Sequence, residues 1–125
     1  LENSDVIFVY GSNGHGVLAS SIQLHAQKYY GAEPGHVRGR KNNSYAIQSR
    51  DKNGATLDLS EIKTNVDMFL HYADRFPNHI FKVAHLTGFR YDDIASLYYC
   101  APPNVVLPIQ YKATLKTDGV KRKYW

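Results

Sequence analysis

Residues 11–16, Gly-Ser-Asn-Gly-His-Gly, follow the apolar run Ile7-Phe8-Val9-Tyr10 and set three glycines beside a hydroxyl, a carboxamide and an imidazole. Glycine is costly to order, so a cluster of it marks either a tight turn or a close approach of backbone to a ligand. Free glycine amides at the mouth of a helix suit an anion, phosphate above all. A second stretch, Thr87-Gly88-Phe89-Arg90, also follows an apolar run and ends in a guanidinium, which forks onto phosphate oxygens. Two such loops side by side would hold a diphosphate. His15 is the only general acid or base within the first loop.

Several other chemistries are excluded by spacing. No Lys-Ser or Lys-Thr pair follows the glycines, so the loop is not a nucleoside-triphosphate P-loop. Gly-Ser-Asn-Gly-His-Gly is not Gly-x-Gly-x-x-Gly, and no acidic residue follows on a clear second strand at the distance a dinucleotide fingerprint requires. There is no Gly-x-Ser-x-Gly elbow. The six histidines do not pair with acids or cysteine at metal-ligand spacing, so neither a metal site nor a cofactor is expected. Cys100, the single cysteine, lies in Leu-Tyr-Tyr-Cys-Ala-Pro-Pro and is expected to be a buried structural thiol.

The elements that position these loops follow from periodicity. Residues 5–10 form a short strand buried on both faces. Residues 17–30 carry Leu18, Ile22, Ala26 and Tyr29 at helical spacing, with Gly31 as the stop and His25 packed or hydrogen-bonded on the same face. Residues 32–43 read as a loop and 43–49 as a second strand, before an Asn53-Gly54 turn. Asp58 fits an N-cap with Glu61 three residues on, opening a helix whose stripe is Ile62, Val66, Phe69, Leu70 and Ala73 and which Pro77 closes. A third strand over 79–86, a short helix with Asp92 or Asp93 near its start, and a strand over 104–108 complete the order.

Alternating strands and helices predict an α/β protein, a three-layer α/β/α arrangement around a small, largely parallel (mixed) sheet. The 125 residues suit a single domain, with its core over about 5–108 and a basic tail, 109–125, that periodicity does not place. Fifteen Lys and Arg against 11 Asp and Glu give a net charge of +4, partly in residues 36–41 and 121–123, which read as a solvated loop and tail. Nucleic-acid binding is not expected from so mild an excess. No apolar run approaches the roughly 18 residues of a membrane span, and nothing resembles a signal peptide, so a cytoplasmic setting is the expectation.

With both loops in view, the chain resembles a small macro domain, the α/β module that binds ADP-ribose and its derivatives. The segment Ser12-Asn13-Gly14-His15-Gly16-Val17-Leu18-Ala19 stands where that family has an asparagine, a glycine-rich loop and a helix of small residues. Thr87-Gly88-Phe89-Arg90-Tyr91 resembles its second loop, with Arg90 at a usual glycine position. The segments IFVYGSN, SYAIQSRD and VLP are similar to the IFVFGSN, SYAIPTKD and ILP of short macro-like proteins from bacteriophages and bacteria, which suggests a phage-like origin. The resemblance covers about residues 6–108. It implies a nucleotide ligand of the ADP-ribose type held by Gly11, Ser12, Asn13, Gly14, Gly16, Val17, Thr87, Gly88, Phe89 and Arg90. The protein would act as a reader of ADP-ribosylated protein or as a sequestering protein. An alternative is a hydrolase or phosphatase of an ADP-ribose derivative, with Asn13 and His15 as catalytic residues, and a further one is a degenerate macro fold with a structural or interaction role.

Overall fold

The computed structural model describes residues 6–125. Five strands form one sheet in the order β2-β3-β1-β4-β5: β1 (Val6–Ser12), β2 (Gly39–Lys41), β3 (Ser44–Gln48), β4 (Ile80–Val83) and β5 (Val105–Val106). All neighbouring strands run parallel except β2, which pairs antiparallel with β3. β1 occupies the centre, with Val9 opposite Tyr45 of β3 and Val83 of β4. A central parallel strand is buried on both faces, which is why Ile7, Phe8, Val9 and Tyr10 form an unbroken apolar run.

The pleat divides that run between two cores. Phe8 and Tyr10 point to one face, with Ala46 and Ala84, and are covered by Ala26, Ile22 and Tyr30 of α1 (Ser21–Tyr30). Ile7 and Val9 point to the other, with Ile47, Phe81 and Val83, and are covered by α2 (Leu59–Arg75), α3 (Tyr91–Ala95) and α4 (Lys112–Leu115). The result is the three-layer α/β/α fold. In α2 the expected stripe is buried at Ile62, Val66, Phe69 and Ala73 and half-buried at Leu70, and Asn104 Nδ2 donates to the carbonyls of Ala73 and Phe76 at its C-terminal end.

Several boundaries differ from the sequence expectations, each for a local reason. Asp5, expected at the head of β1, lies outside the described residues, and β1 runs on to Ser12 because Ser49 N–H bonds the Ser12 carbonyl. The first helix begins at Ser21, not Val17: Ser20 caps it, its Oγ accepting from Gln23 N–H while Gln23 Oε1 accepts from Ser20 N–H. The segment expected as a loop over 32–43 contains β2, turned back onto β3 through Asn42 at φ +52°. Asp58 occupies the N-cap of α2, yet its side chain makes no capping bond.

Two expectations about the C-terminal third are corrected. Cys100 is exposed, not buried, because the chain turns there in the left-handed conformation, φ +62°, before Pro102. The basic run 121–123 is not wholly solvated. Arg122 pairs with Asp118, both side chains being 1% exposed, and Leu107 bridges in parallel to Tyr124. The tail that periodicity left unplaced is therefore a 3-10 turn (Ile109–Tyr111), α4 and a return segment beside β5. No helix among the described residues is long and apolar enough to cross a membrane.

Candidate functional site

The strand order reverses at one place. β1 leads through α1 to β3 on one side of the sheet, whereas β4 leads through α3 to β5 on the other, with the two helices on opposite faces. The carboxyl ends of β1 and β4 therefore diverge and leave a crevice between them, the usual ligand position in open α/β sheets. Gly11, Ser12 and Asn13 form one wall and His85 and Thr87 the other, around a cavity of about 230 Å³. It continues past Ile22 and His85 into a second cavity of about 550 Å³, lined on its aromatic side by Phe8, His25, Tyr91 and Trp125.

The glycine loop does not present its amides to this crevice. Gly14 N–H donates to the Asp51 carbonyl at 3.2 Å, and Gly16 N–H to the Asn13 carbonyl at 3.0 Å. His15 and Val17 N–H both donate to Asn13 Oδ1 at 3.1 Å, and Asn13 Nδ2 returns a bond to the Val17 carbonyl. Asn13 thus knits the loop together with its own side chain. The glycines answer chain crowding: a Cβ on Gly14 would lie 2.5 Å from Lys52 N, and one on Gly16 2.6 Å from the Gly35 carbonyl carbon. Gly11 lacks a side chain where Leu86 and Ser49 approach, and its carbonyl accepts from Gln23 Nε2 at 3.0 Å.

Of the residues singled out in the sequence, Gly11, Ser12, Asn13 and Thr87 come together at the smaller cavity, whereas Gly14, His15, Gly16, Val17, Gly88, Phe89 and Arg90 do not line it. Ser12 is buried, its hydroxyl donating to the Val37 carbonyl. His15 and Val17 are exposed. Phe89 packs against the larger core, and the Arg90 side chain, 80% exposed, lies 4.0 Å from Asp92. Gly88, at φ +91°, sits where a Cβ would meet Arg50 Nη2 at 2.5 Å.

The groups that do face the crevice were missed in the sequence. The capping box places Ser20 and Gln23 on its wall, and Gln23 Oε1 takes the amides of Ala19 and Ser20. The next two amides, Ser21 and Ile22, have no acceptor among the described residues, as first-turn amides lack one within the helix. Both residues line the larger cavity and belong to the positive end of α1. Arg50 spans the mouth, donating from Nη1 to the Gly54 carbonyl and from Nη2 to the Thr87 carbonyl. Three of its five N–H donors remain. The sequence carried one usable signal, the Ser20-x-x-Gln23 spacing.

His85 stands between the two cavities, and both of its nitrogens are engaged. Nε2–H donates to the Phe89 carbonyl at 2.9 Å, which leaves Nδ1 to accept from the Tyr111 hydroxyl at 2.6 Å. Burial lowers the pKa of the ring, against the opposite influence of the Phe89 carbonyl, and favours this neutral tautomer. Burial also pushes the Tyr111 hydroxyl up, so it stays a donor. Tyr91 lies over the imidazole at a centroid distance of 4.3 Å. No Asp or Glu side chain lines either cavity. No protein-family model, curated protein or solved structure matches the chain.

Proposed function

We propose that the crevice binds an ADP-ribose-type nucleotide, as a reader or sequestering site and not as a hydrolase. The observation that carries this reading is the pair of unpartnered amides, Ser21 and Ile22, opening onto a crevice at the reversal of strand order. A diphosphate at that point meets the positive end of α1 and the remaining donors of Arg50. The aromatic side, with Tyr91, His25 and Trp125, offers flat apolar surface for a base. The anion site thus moves from the glycine loop to the helix that follows it. Binding is favoured over hydrolysis because no Asp or Glu side chain lines the cavities and both nitrogens of His85 are occupied.

The test is thermal unfolding with ADP-ribose, with AMP and NAD as controls. A ligand at 100 times its Kd adds about 2.7 kcal/mol, or about 10 °C in a domain of this size. Ser21→Pro is the informative variant, because proline at the first helical position preserves the helix while deleting one amide donor. The melting temperature without ligand should hold while the ADP-ribose shift shrinks, and Ser21→Ala should keep the shift. No shift with ADP-ribose, or an undiminished one in Ser21→Pro, defeats the proposal. Chromatography of the same mixtures checks for turnover, and product that accumulates with enzyme concentration would favour the hydrolase.

A further inference from the structure

A groove of about 630 Å³ lies away from the crevice, beside β5, and shares no lining residue with it. Its floor is mostly aliphatic, with Ile80, Val106, Leu115 and Val120 beside Tyr124. Its rim carries Lys112, Lys116, Lys121 and Lys123, all exposed. No acidic side chain lines it, and none of these four lysines has an acidic partner within 4 Å among the described residues. Asp118, the nearby acid, is taken up by Arg122. Arg122 itself forms part of the wall, and its buried Nε has no acceptor among the described residues. An apolar trough ringed by unneutralised ammonium groups is complementary to a molecule with an apolar body and an anionic end.

The backbone narrows the choice of occupant. The outer edge beyond β5 is already paired: Leu107 N–H donates to the Lys123 carbonyl at 3.3 Å, Trp125 N–H to Leu107 and Ile109 N–H to Trp125. An added peptide strand would need those groups. A nucleic acid would need several flat faces for successive bases, and Tyr124 is the single aromatic ring lining the groove. We propose that the groove is a second binding site, for a free single-chain amphiphilic anion, with the alkyl chain on the floor and the carboxylate held by the lysine rim.

The experiment is a titration of the isotopically labelled protein with decanoate, followed by amide chemical shifts, with decanol and acetate as probes lacking the charge or the chain. Saturable shifts confined to residues 104–106, 112–116 and 120–124 are expected with decanoate, weaker ones with decanol and none with acetate. The double variant Lys116→Glu/Lys121→Glu, at two exposed positions, should keep its spectrum and bind decanoate about fivefold more weakly. Lys116→Gln/Lys121→Gln, which adds no repulsion, should fall in between. Absence of saturable shifts, shifts centred on the crevice, or unchanged affinity in the charge-reversed variant overturns the proposal. So does binding to anionic phospholipid vesicles or to an oligonucleotide by a protein that ignores decanoate.

Discussion

The Tyr111 hydroxyl donates to His85 Nδ1 at 2.6 Å, tying the end of β4 to the 3-10 turn that follows Pro108 across 26 residues of sequence. Tyr111 is buried, so its ring packing survives in Tyr111→Phe while the donor is lost. The half-buried Nδ1 is then left without a partner, at a cost of about 1–2 kcal/mol. Chemical denaturation of the two proteins side by side checks the value. An unchanged midpoint would mean that water replaces the hydroxyl without loss.

His85 also predicts a pH dependence. Burial lowers its folded pKa, so the unfolded chain, where histidine titrates near 6.5, takes up the proton first. The contribution of the neutral ring is complete above that value and is lost as pH falls from it through the lower folded pKa. Urea midpoints should decline as pH falls below about 6.5, and His85→Gln should flatten the decline. An equal slope in the variant assigns the proton uptake elsewhere.

Gly16 and Gly35 both have positive φ, +68° and +87°, yet they should respond differently to alanine. At Gly35 a Cβ enters open space, so Gly35→Ala costs only the left-handed backbone, about 1–2 kcal/mol. At Gly16 the Cβ strikes the backbone of Gly35 and His36 at 2.6–2.8 Å, so the same conformational cost is joined by displacement of a whole loop. Gly16→Ala should therefore be the more destabilising by at least about 1 kcal/mol. Thermal melts of the two variants decide it.

Asp118 accepts from the Cys100 and Val120 amides as well as from Arg122. Burial by itself would raise its pKa, but these three donors prevail and hold it below the usual carboxylate range. Asp118→Asn should cost about 3 kcal/mol by leaving Arg122 without its counter-charge. Its stabilising effect is present above the unfolded pKa, near 3.9, and is lost as pH falls through the lower folded value. The wild type should therefore lose stability as pH falls below about 3.9, while Asp118→Asn, with no carboxylate there to protonate, has no such contribution to lose, so the two acid limbs should converge. Comparing the acid limbs of wild type and Asp118→Asn measures the share, and parallel limbs would show that the pair carries none.

The layer order was legible because burial on both sides of β1 leaves an uninterrupted apolar run, and α2 because its stripe repeats at helical spacing over many residues. The start of α1 was not, since Leu18 packs on the same core as Ile22 and extends the helical pattern into chain that is not helical. β2 was hidden for a related reason: three residues, Gly39, Arg40 and Lys41, carry no alternation to read. At the site, glycine density drew attention to residues 14–17, but their amides are taken, that of Gly14 by Asp51, which only the folded chain brings close, and those of His15, Gly16 and Val17 by Asn13. Arg50 likewise joins the crevice through Thr87, 37 residues away, a meeting with no local signature.

The return of residues 123–125 along the outside of β5 has a consequence for the protein in concentrated solution. Unpaired sheet edges are templates on which identical chains recruit one another into insoluble stacks. Here the backbone just past the two-residue β5 is paired with residues 123–125 through Leu107 and Ile109, and the other edge ends in a strand of only three residues bearing Arg40 and Lys41. Each molecule therefore offers its neighbours little backbone to zip onto, and crowding should not drive it into fibrils.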